Sequence, residues 1–282
     1  MTPTKGKRIP LRVNAPSASV LRFRRTVRAQ YRKFGRHTLP WRKTKDVYRI
    51  LVSEMMLQQT QVERVIPLYK KFIQRFPTAK KLAAAPLAEV LKSWQGLGYN
   101  RRAKMLRVAA KELAARSAST VSELEALPGV GPYTARAVAA FAWNKDVVFV
   151  ETNIRTAVIQ HFFSEREKVS DKEIEEVLAQ ALPKGKACTW YSALMDYGAA
   201  LKRSGVSHNA KSKTYAKQSK FAGSLREARG AVLRELALGA ASPARLADLL
   251  GSKRRAQMRA ALRALWTEGL VKKDGENYML AD

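Results

Sequence analysis

Apolar residues recur at helical spacing along most of the chain, and this pattern predicts an almost entirely helical protein. The basic, amphipathic stretch SVLRFRRTVRAQYRKFG is predicted to form a helix that ends at Gly35. The stretch KDVYRILVSEMMLQQTQVERVIPLYKKFIQRF has helical spacing on both sides of a predicted break near residues 59–61. Gly and Pro mark the joints between the later helical segments. These segments are LAEVLKSW, YNRRAKMLRVAAKELAAR, VSELEAL, YTARAVAAFAW, the stretch that follows FVE, DKEIEEVLAQAL and WYSALMDYGAALKR.

The composition changes after residue 202. Residues 203–222 are polar, basic and poor in large aliphatic side chains, which predicts a linker or extended arm. Residues 223–282 show three helical patterns followed by an alternating segment around the Asp-Gly pair at 274–275, a strong hairpin signal. This order predicts a winged helix-turn-helix, although a small packing or dimerisation unit fits the same pattern. In the first interpretation the third helix faces DNA through Lys253, Arg254, Arg255 and Arg259.

The charge balance narrows the class of partner. The chain has 53 Lys and Arg against 23 Asp and Glu, a formal net charge of +30, while its 46% hydrophobic content is ordinary for a globular protein. Such an excess favours a polyanionic partner, with nucleic acid ahead of an anionic membrane surface. No apolar stretch is long enough to span a bilayer, and residues 1–17 are predicted to be a flexible basic arm rather than a signal peptide. The single cysteine, Cys188, excludes an internal disulfide and predicts a reducing, intracellular setting.

The segment LPGVGPYTARAVAAF carries the first candidate site. Gly129 and Gly131 flank Val130 in a predicted tight turn, and Thr134 lies at the start of an Ala-rich helix. Glycines allow backbone N–H groups to approach a phosphate, and the helix start adds its dipole. The pattern therefore predicts a helix-hairpin-helix that grips the DNA backbone, with an ordinary interhelical turn as the alternative.

Glu54 is a candidate acid because of its position in the helical pattern. Val47, Ile50 and Leu51 define an apolar stripe, and Glu54 and Gln58 continue the same face. A carboxylic acid among apolar side chains loses hydration, which raises its pKa and favours the proton-donating form. A buried Glu that pairs with an Arg or caps a neighbouring helix is an equally good interpretation of this pattern.

Glu151 stands where the apolar run DVVFV meets the start of a predicted helix. A helix cap is the simplest interpretation, since an acidic side chain complements the positive end of the helix dipole. The pattern of residues alone gives no further role to this carboxylate.

Five motifs together resemble those of the helix-hairpin-helix DNA glycosylases, and are most similar to the MutY-type adenine glycosylases. They are LPW, SEMMLQQTQV, WQGLGYNRRAKML, ALPGVGPYTARAVAAFAW and VETNIRTAV, in the family's order and approximate spacing over residues 25 to 200. The resemblance implies an all-α fold with two helical subdomains and a DNA cleft between them. The six-helix subdomain then covers about 45–145, and the second is built from 18–44 and 146–202, within a core of 18–202.

The resemblance also implies roles for the central residues. Glu54 matches the family's general acid, Glu151 its second carboxylate and Asn153 a residue that supports this carboxylate. Tyr133 occupies the place of the Schiff-base lysine of bifunctional relatives. Because tyrosine cannot form that adduct, a monofunctional glycosylase is expected.

The remaining matches concern DNA. Trp41, Leu57 and Gln58 are expected to line or border the base pocket, and Gln59 and Tyr99 to wedge into the duplex near the flipped base. Arg101 and Arg102, with Lys104, are expected to contact phosphates of the bent backbone.

Three departures limit what is carried over from the family. The second carboxylate is normally Asp, and here it is Glu151, which is one methylene longer. The four cysteines that bind an iron–sulfur cluster in most relatives are missing, with Lys202 near the place of the first and Cys188 outside the pattern. We therefore expect no cluster and no other cofactor or metal. The usual C-terminal domain that checks for 8-oxoguanine is replaced by the winged-helix-like unit.

Together these features predict a base excision repair enzyme that removes adenine mispaired with guanine or 8-oxoguanine. Removal of thymine or uracil from mispairs with guanine is the first alternative, and a non-catalytic DNA-binding protein is the second. The expected partner is double-stranded DNA that contains a mispair or lesion. The expected setting is a monomer in the cytoplasm, associated with the nucleoid of a prokaryote and not with a membrane.

Overall fold

A computed structural model describes residues 16–212 and 220–282, so most of the predicted arm at 1–17 and residues 213–219 of the predicted linker lie outside it. Helices and one hairpin make up the described fold, which confirms the all-α prediction. The helices are α1 (Ala18–Phe34), α2 (Val47–Leu57), α3 (Val62–Arg75), α4 (Ala79–Ala84), α5 (Leu87–Ser93), α6 (Arg101–Ala115), α7 (Val121–Glu125), α8 (Pro132–Trp143), α9 (Thr152–Phe162), α10 (Asp171–Ala181), α11 (Ala187–Arg203), α12 (Leu225–Leu238), α13 (Pro243–Asp248) and α14 (Arg255–Thr267). The strands are β1 (Val271–Asp274) and β2 (Asn277–Leu280). No helix of these two described ranges is long and apolar enough to cross a membrane.

Helices α2 to α8 surround the first of two apolar clusters. The predicted break near residues 59–61 lies between α2 and α3, where Gln59 adopts a φ of +55°. Helix α4 was not among the predicted helices, because its six residues are too few to show a helical repeat of apolar positions. Its first turn is capped by Thr78, whose side chain accepts a hydrogen bond from the backbone N–H of Lys81.

The second apolar cluster joins α1 to α9, α10 and α11, so the first helix packs beside segments more than a hundred residues away. Phe23 of α1 meets Trp190 of α11 edge to face, with ring centroids 5.9 Å apart. Helices α9 and α11 approach most closely at Gly198, where a Cβ atom would lie 1.9 Å from the carbonyl oxygen of Asn153. This contact fixes the start of α9 against α11.

Replacing Gly198 with alanine is therefore expected to destabilise the protein. The new methyl would clash with backbone atoms of Asn153, and overpacking of this kind costs about 1–3 kcal/mol or more. Gly230→Ala is the matched control, because its Cβ would meet only the end of the Arg234 side chain, at 3.4 Å. Urea unfolding should show a loss for Gly198→Ala and no loss for Gly230→Ala; equal stability of the two variants would contradict the expectation.

The C-terminal unit consists of α12, α13, α14 and the hairpin. Strands β1 and β2 pair antiparallel from Val271 opposite Leu280 to Asp274 opposite Asn277, leaving Gly275 and Glu276 as a two-residue turn. Gly275 has a φ of +59°, as such turns require. The buried side chains of this unit belong to the same apolar cluster as the core of α2 to α8. The unit is thus packed on that core and does not stand apart from it.

The first part of the predicted linker also packs on the protein. The backbone N–H of Val169 donates to the carbonyl oxygen of Lys211 at 2.9 Å, and Val169 and Ser212 form a parallel bridge. A short 3-10 turn, Asn209–Lys211, precedes this contact. The chain thus returns to the segment between α9 and α10 before residue 213.

Candidate functional site

Glu54 lies in the last turns of α2 with its side chain turned into the protein, as the apolar stripe predicts. The residue is 6% exposed, and its Oε2 accepts a hydrogen bond from the Tyr133 hydroxyl at 3.1 Å. Burial raises the pKa of the Glu54 carboxyl from 4.5 to about 7; the Glu151 charge adds to this rise, while the Tyr133 hydrogen bond and Arg42 oppose it. Glu54 is therefore able to hold a proton near neutral pH.

Glu151 is the N-cap of α9, and its carboxylate is held by four donors. Its Oε1 accepts from the backbone N–H groups of Asn153 at 2.9 Å and Ile154 at 2.8 Å. Its Oε2 accepts from the Asn153 side-chain amide and from the Thr152 hydroxyl, both at 3.2 Å. These donors and the helix dipole favour a negative charge at this position. Asn153 thus lies where it supports Glu151 through both its backbone and its side chain.

Tyr133, in the first turn of α8, connects the two carboxyl groups electrostatically. Loss of hydration and the charges of Glu54 and Glu151 raise the pKa of the Tyr133 hydroxyl well above its ordinary value. Its ring packs edge to face on Phe149, with centroids 5.7 Å apart. The hydroxyl therefore stays protonated and orients the Glu54 carboxyl by donating to it.

The raised pKa of Glu54 predicts a specific pH dependence of stability. Because its pKa is higher in the folded state, the group contributes stability that is present below pH 4.5 and is lost as the pH rises to about 7. Between pH 5 and pH 8 this loss is on the order of 2 kcal/mol. The free energy of unfolding of Glu54→Gln relative to the wild type should therefore rise over this range; an unchanged difference would contradict the burial argument.

The predicted helix-hairpin-helix connects α7 to α8. Gly129 has a φ of +78°, and a Cβ there would lie 2.6 Å from the Cβ of Met105, so this position requires glycine. Gly131 is exposed and caps α8, whereas the side chains of Val130 and Thr134 are buried. Val130 and Thr134 therefore offer only backbone groups to a ligand at this turn.

The three residues predicted to border a base pocket surround the end of α2. Trp41 is only 8% exposed and meets Tyr69 edge to face at 5.5 Å, while Leu57 is half-buried. The Gln58 side-chain amide donates to the Thr134 hydroxyl at 3.4 Å. Gln58 therefore links the end of α2 to the first turn of α8, beside Tyr133.

Gln59 and Tyr99 occupy a left-handed backbone conformation that non-glycine residues rarely adopt. Their φ angles are +55° and +47°, and the Tyr99 hydroxyl donates to Gln59 Oε1 at 2.6 Å. Each such residue costs on the order of 1 kcal/mol or more, which is tolerated mostly at functional sites. The paired side chains lie at the exposed edge of α2, as expected of residues that wedge into a duplex.

Arg101 is exposed, but the position of Arg102 corrects the expectation that it contacts phosphate. The Arg102 guanidinium donates to backbone carbonyl oxygens at the end of α2 and in the α5–α6 connection. Its acceptors are the carbonyl oxygens of Met55, Met56, Gln58, Leu97 and Gly98. Burial lowers the pKa of Arg102 to about 10, yet it remains protonated at neutral pH. Arg102 joins two connections of the chain, and its donors are occupied there.

The basic residues of the C-terminal unit divide into two groups. Lys253 and Arg259 are exposed, whereas Arg254 pairs with Glu227 at 2.7 Å and Arg255 pairs with Asp248. Internal ion pairs therefore compensate two of the four charges that were predicted to face DNA. This corrects the expectation for Arg254 and Arg255.

An acidic residue that the sequence analysis missed lies near the candidate acid. Asp196 of α11 is buried and accepts from Arg36 Nε at 2.6 Å and Arg42 Nη1 at 2.7 Å, so both cations lower its pKa. Arg42 also acts on the pKa of Glu54, which couples this network to the site. The available signal was the single Asp in the apolar run ALMDYGAA.

The residues of this chain do not fit a four-cysteine iron–sulfur cluster. The sequence contains one cysteine, and Lys45 Nζ lies 2.9 Å from its sulfur, donating to Cys188. Within residues 16–212 and 220–282, no group of three or more His, Cys, Asp and Glu side chains is arranged to hold a metal ion.

The fold and these motifs define a class of protein. Residues 52–184 match the HhH-GPD superfamily of base excision DNA repair proteins, and this region of the chain belongs to that superfamily. The predicted resemblance to helix-hairpin-helix glycosylases, closest to the MutY type, is confirmed.

Individual relatives agree with this assignment. The chain is 43% identical over 173 residues to an adenine DNA glycosylase of Mycolicibacterium smegmatis, covering 59% of each protein. It is 36% identical over 191 residues to that of Buchnera aphidicola subsp. Baizongia pistaciae, covering 65% of this chain and 54% of the relative. The chain thus spans less than two thirds of these relatives. Among solved structures, a thermostable thymine-DNA glycosylase matches with a TM-score of 0.58 and 28% identity, covering 64% of this chain and 86% of the other.

Proposed function

We propose that this protein is a DNA glycosylase of base excision repair that hydrolyses the N-glycosidic bond of adenine mispaired with guanine or 8-oxoguanine. The carrying observation is the pairing of a buried Glu54, with a pKa of about 7, and a Glu151 held as a carboxylate by the start of α9. The similarity to adenine DNA glycosylases over residues of both subdomains supports adenine as the base.

The first chemical step requires a proton on the departing base. Glu54 holds this proton in an apolar setting, and Tyr133 orients the carboxyl by donating to its Oε2. Transfer of the proton from Glu54 to the purine makes the base a better leaving group as the bond to the sugar breaks. Glu54 ends the step as a carboxylate.

The second carboxylate acts on the sugar. Cleavage of an N-glycosidic bond develops positive charge on the sugar, as in other glycoside cleavages, and a fixed negative charge stabilises it. Glu151 supplies that charge without reorganisation, because four donors already hold its oxygens. It also orients or activates the water that completes hydrolysis.

The substrate must present an extruded base. Flipping costs a few kcal/mol and is easier at a mispair, which contributes to selectivity. The glycine turn at Gly129 and Gly131, the start of α8 and the positive charge of the chain suit the phosphate backbone, and Gln59 with Tyr99 would fill the space that the base leaves. Tyr133 in place of a nucleophilic lysine supports a monofunctional reaction.

A second candidate function is removal of thymine or uracil paired with guanine. It is favoured by the similarity to a thymine-DNA glycosylase over most of that protein and by the unusual Glu at position 151. Adenine is preferred because the adenine glycosylases have the higher sequence identity.

Labelled duplexes with A:8-oxoG, A:G, T:G and U:G pairs distinguish these functions. After incubation with the protein, alkali cleaves abasic products, and strand breaks only in duplexes with adenine mispairs are expected. Breaks only at T:G or U:G would overturn the proposal in favour of the second candidate. Binding to all four duplexes without breaks in any would indicate a non-catalytic DNA-binding protein.

A further inference from the structure

A cavity of about 920 Å³ lies between the six-helix core and α12 of the C-terminal unit. One wall is formed by the α2–α3 and α5–α6 connections and includes Gln59 and Tyr99. The opposite wall consists of Phe221, Arg226, Arg229, Gly230, Leu233 and Arg234. A cavity of this size has room for a nucleotide.

The lining of the cavity is strongly basic. Six arginines contribute to it, whereas Glu268 is its one acidic residue among the described parts of the chain. The arginines are Arg64, Arg101, Arg102, Arg226, Arg229 and Arg234. Arg229 binds Glu268 through two hydrogen bonds of 2.6 and 2.7 Å, and Arg102 binds backbone carbonyls, so the positive excess remains with the other four. Such a lining favours a phosphate-bearing ligand.

Aromatic rings stand beside these charges. The Arg226 guanidinium lies 5.6 Å from the ring centre of Tyr99 and 6.0 Å from that of Phe221, and it donates to the Tyr99 hydroxyl at 3.2 Å. Tyr99 is 37% exposed and Phe221 57%. Exposed aromatic rings next to arginines provide stacking surfaces for unpaired bases.

The C-terminal wall is held firmly against the core. Lys104 of α6 donates to the carbonyl oxygen of Glu268 at 2.6 Å, and α12 packs on α5 with buried side chains in the common apolar cluster. The cavity therefore has two fixed walls that come from different parts of the sequence.

The cavity also adjoins the candidate active site. Met55 lines it, while the preceding Glu54 points toward Tyr133, so the two sites use different faces of the last turns of α2. Gln58 borders the cavity and also reaches Thr134 of α8. A duplex opened at Gln59 would thus offer one strand to Glu54 and the other to the cavity.

We propose that this cavity binds the nucleotide that stands opposite the excised base, which loses its partner when that base is extruded. Tyr99 and Phe221 stack on its base, and Arg226 and Arg234 contact the adjacent phosphates. The C-terminal unit therefore meets DNA through α12 and not through α14. The inference rests on the proposed function, since an opposing nucleotide is unpaired only if the enzyme flips its target.

The test uses the full chain and a duplex with 2-aminopurine opposite a tetrahydrofuran abasic analogue, which cannot be excised. Stacking of the 2-aminopurine base in the cavity should quench its fluorescence when the protein binds. Phe221→Ala and Arg226→Ala/Arg234→Ala should abolish this quenching and weaken binding about tenfold, the effect of losing one stacking or phosphate contact. The matched control Arg259→Ala/Arg263→Ala removes the same charge from α14 and should behave as the wild type.

Three outcomes would overturn the inference. They are an unchanged fluorescence response in both cavity variants, no response in the wild type, and a response that is lost only in the α14 control. Thermal unfolding of each variant verifies its fold, and Arg234→Ala alone, at an exposed position, provides a second variant if the double substitution unfolds. Because the abasic analogue requires no catalysis, failure to excise adenine counts against the proposed function alone and leaves this readout intact.

Discussion

Replacing Glu54 with glutamine is expected to slow base excision by about 10²- to 10⁴-fold, the usual contribution of a positioned general acid. Glutamine fills the same space and accepts the Tyr133 hydrogen bond, but it has no acidic proton to give to the departing base. Single-turnover excision on a duplex with the preferred mispair measures the effect. Glu125→Gln, which changes an exposed acid on α7, is the matched control and should retain the wild-type rate.

The pH profile provides an independent check of the same group. The wild-type rate should hold below about pH 7 and fall above it, because the Glu54 carboxyl has a pKa of about 7 and loses its proton there. The residual rate of Glu54→Gln should lack this decline. A variant that excised at the wild-type rate would refute the role of Glu54 as the acid.

Loss of the charge at Glu151 is expected to reduce excision by about 10²- to 10³-fold, the magnitude typical of a fixed group that stabilises charge in the transition state. Glu151→Gln and Glu151→Ala should both be severely impaired. Glu151→Asp should be tolerated, because aspartate keeps the charge and is a good N-cap for α9. Single-turnover excision and thermal unfolding should be measured for each variant.

Capping and catalysis at Glu151 can be separated by a matched control. Ser170 caps α10 in the same way, and its side chain accepts from the backbone N–H of Glu173. Ser170→Ala should cost about 1 kcal/mol of stability with no effect on excision. Normal excision by Glu151→Ala would leave Glu151 as a cap alone.

Periodicity predicted those features that depend on residues near one another in sequence. The apolar stripe of α2 placed Glu54 inside the protein, and the junction after DVVFV placed Glu151 at the start of α9. Both features follow from a helical repeat or a capping preference, which act over a few residues.

Features that depend on distant contacts could not be predicted in this way. Asp196 is neutralised by Arg36 and Arg42, which precede it by 160 and 154 residues, so its run of sequence shows only an isolated acid. Arg102 has the exposed, basic neighbours of a phosphate ligand, but carbonyls at the end of α2 occupy its donors. Sequence alone gives the charge of a residue and not the acceptors that folding brings to it.

The shared apolar cluster of the C-terminal unit has a consequence for how the protein unfolds. Helices α12 and α14 and the hairpin contribute to the same cluster as α2 to α8, whereas α1 clusters with α9 to α11. Cooperative blocks follow shared buried surface rather than chain order. The last sixty residues thus form one folding block with the middle of the chain, and removing them would leave the centre of the molecule with an uncovered apolar face.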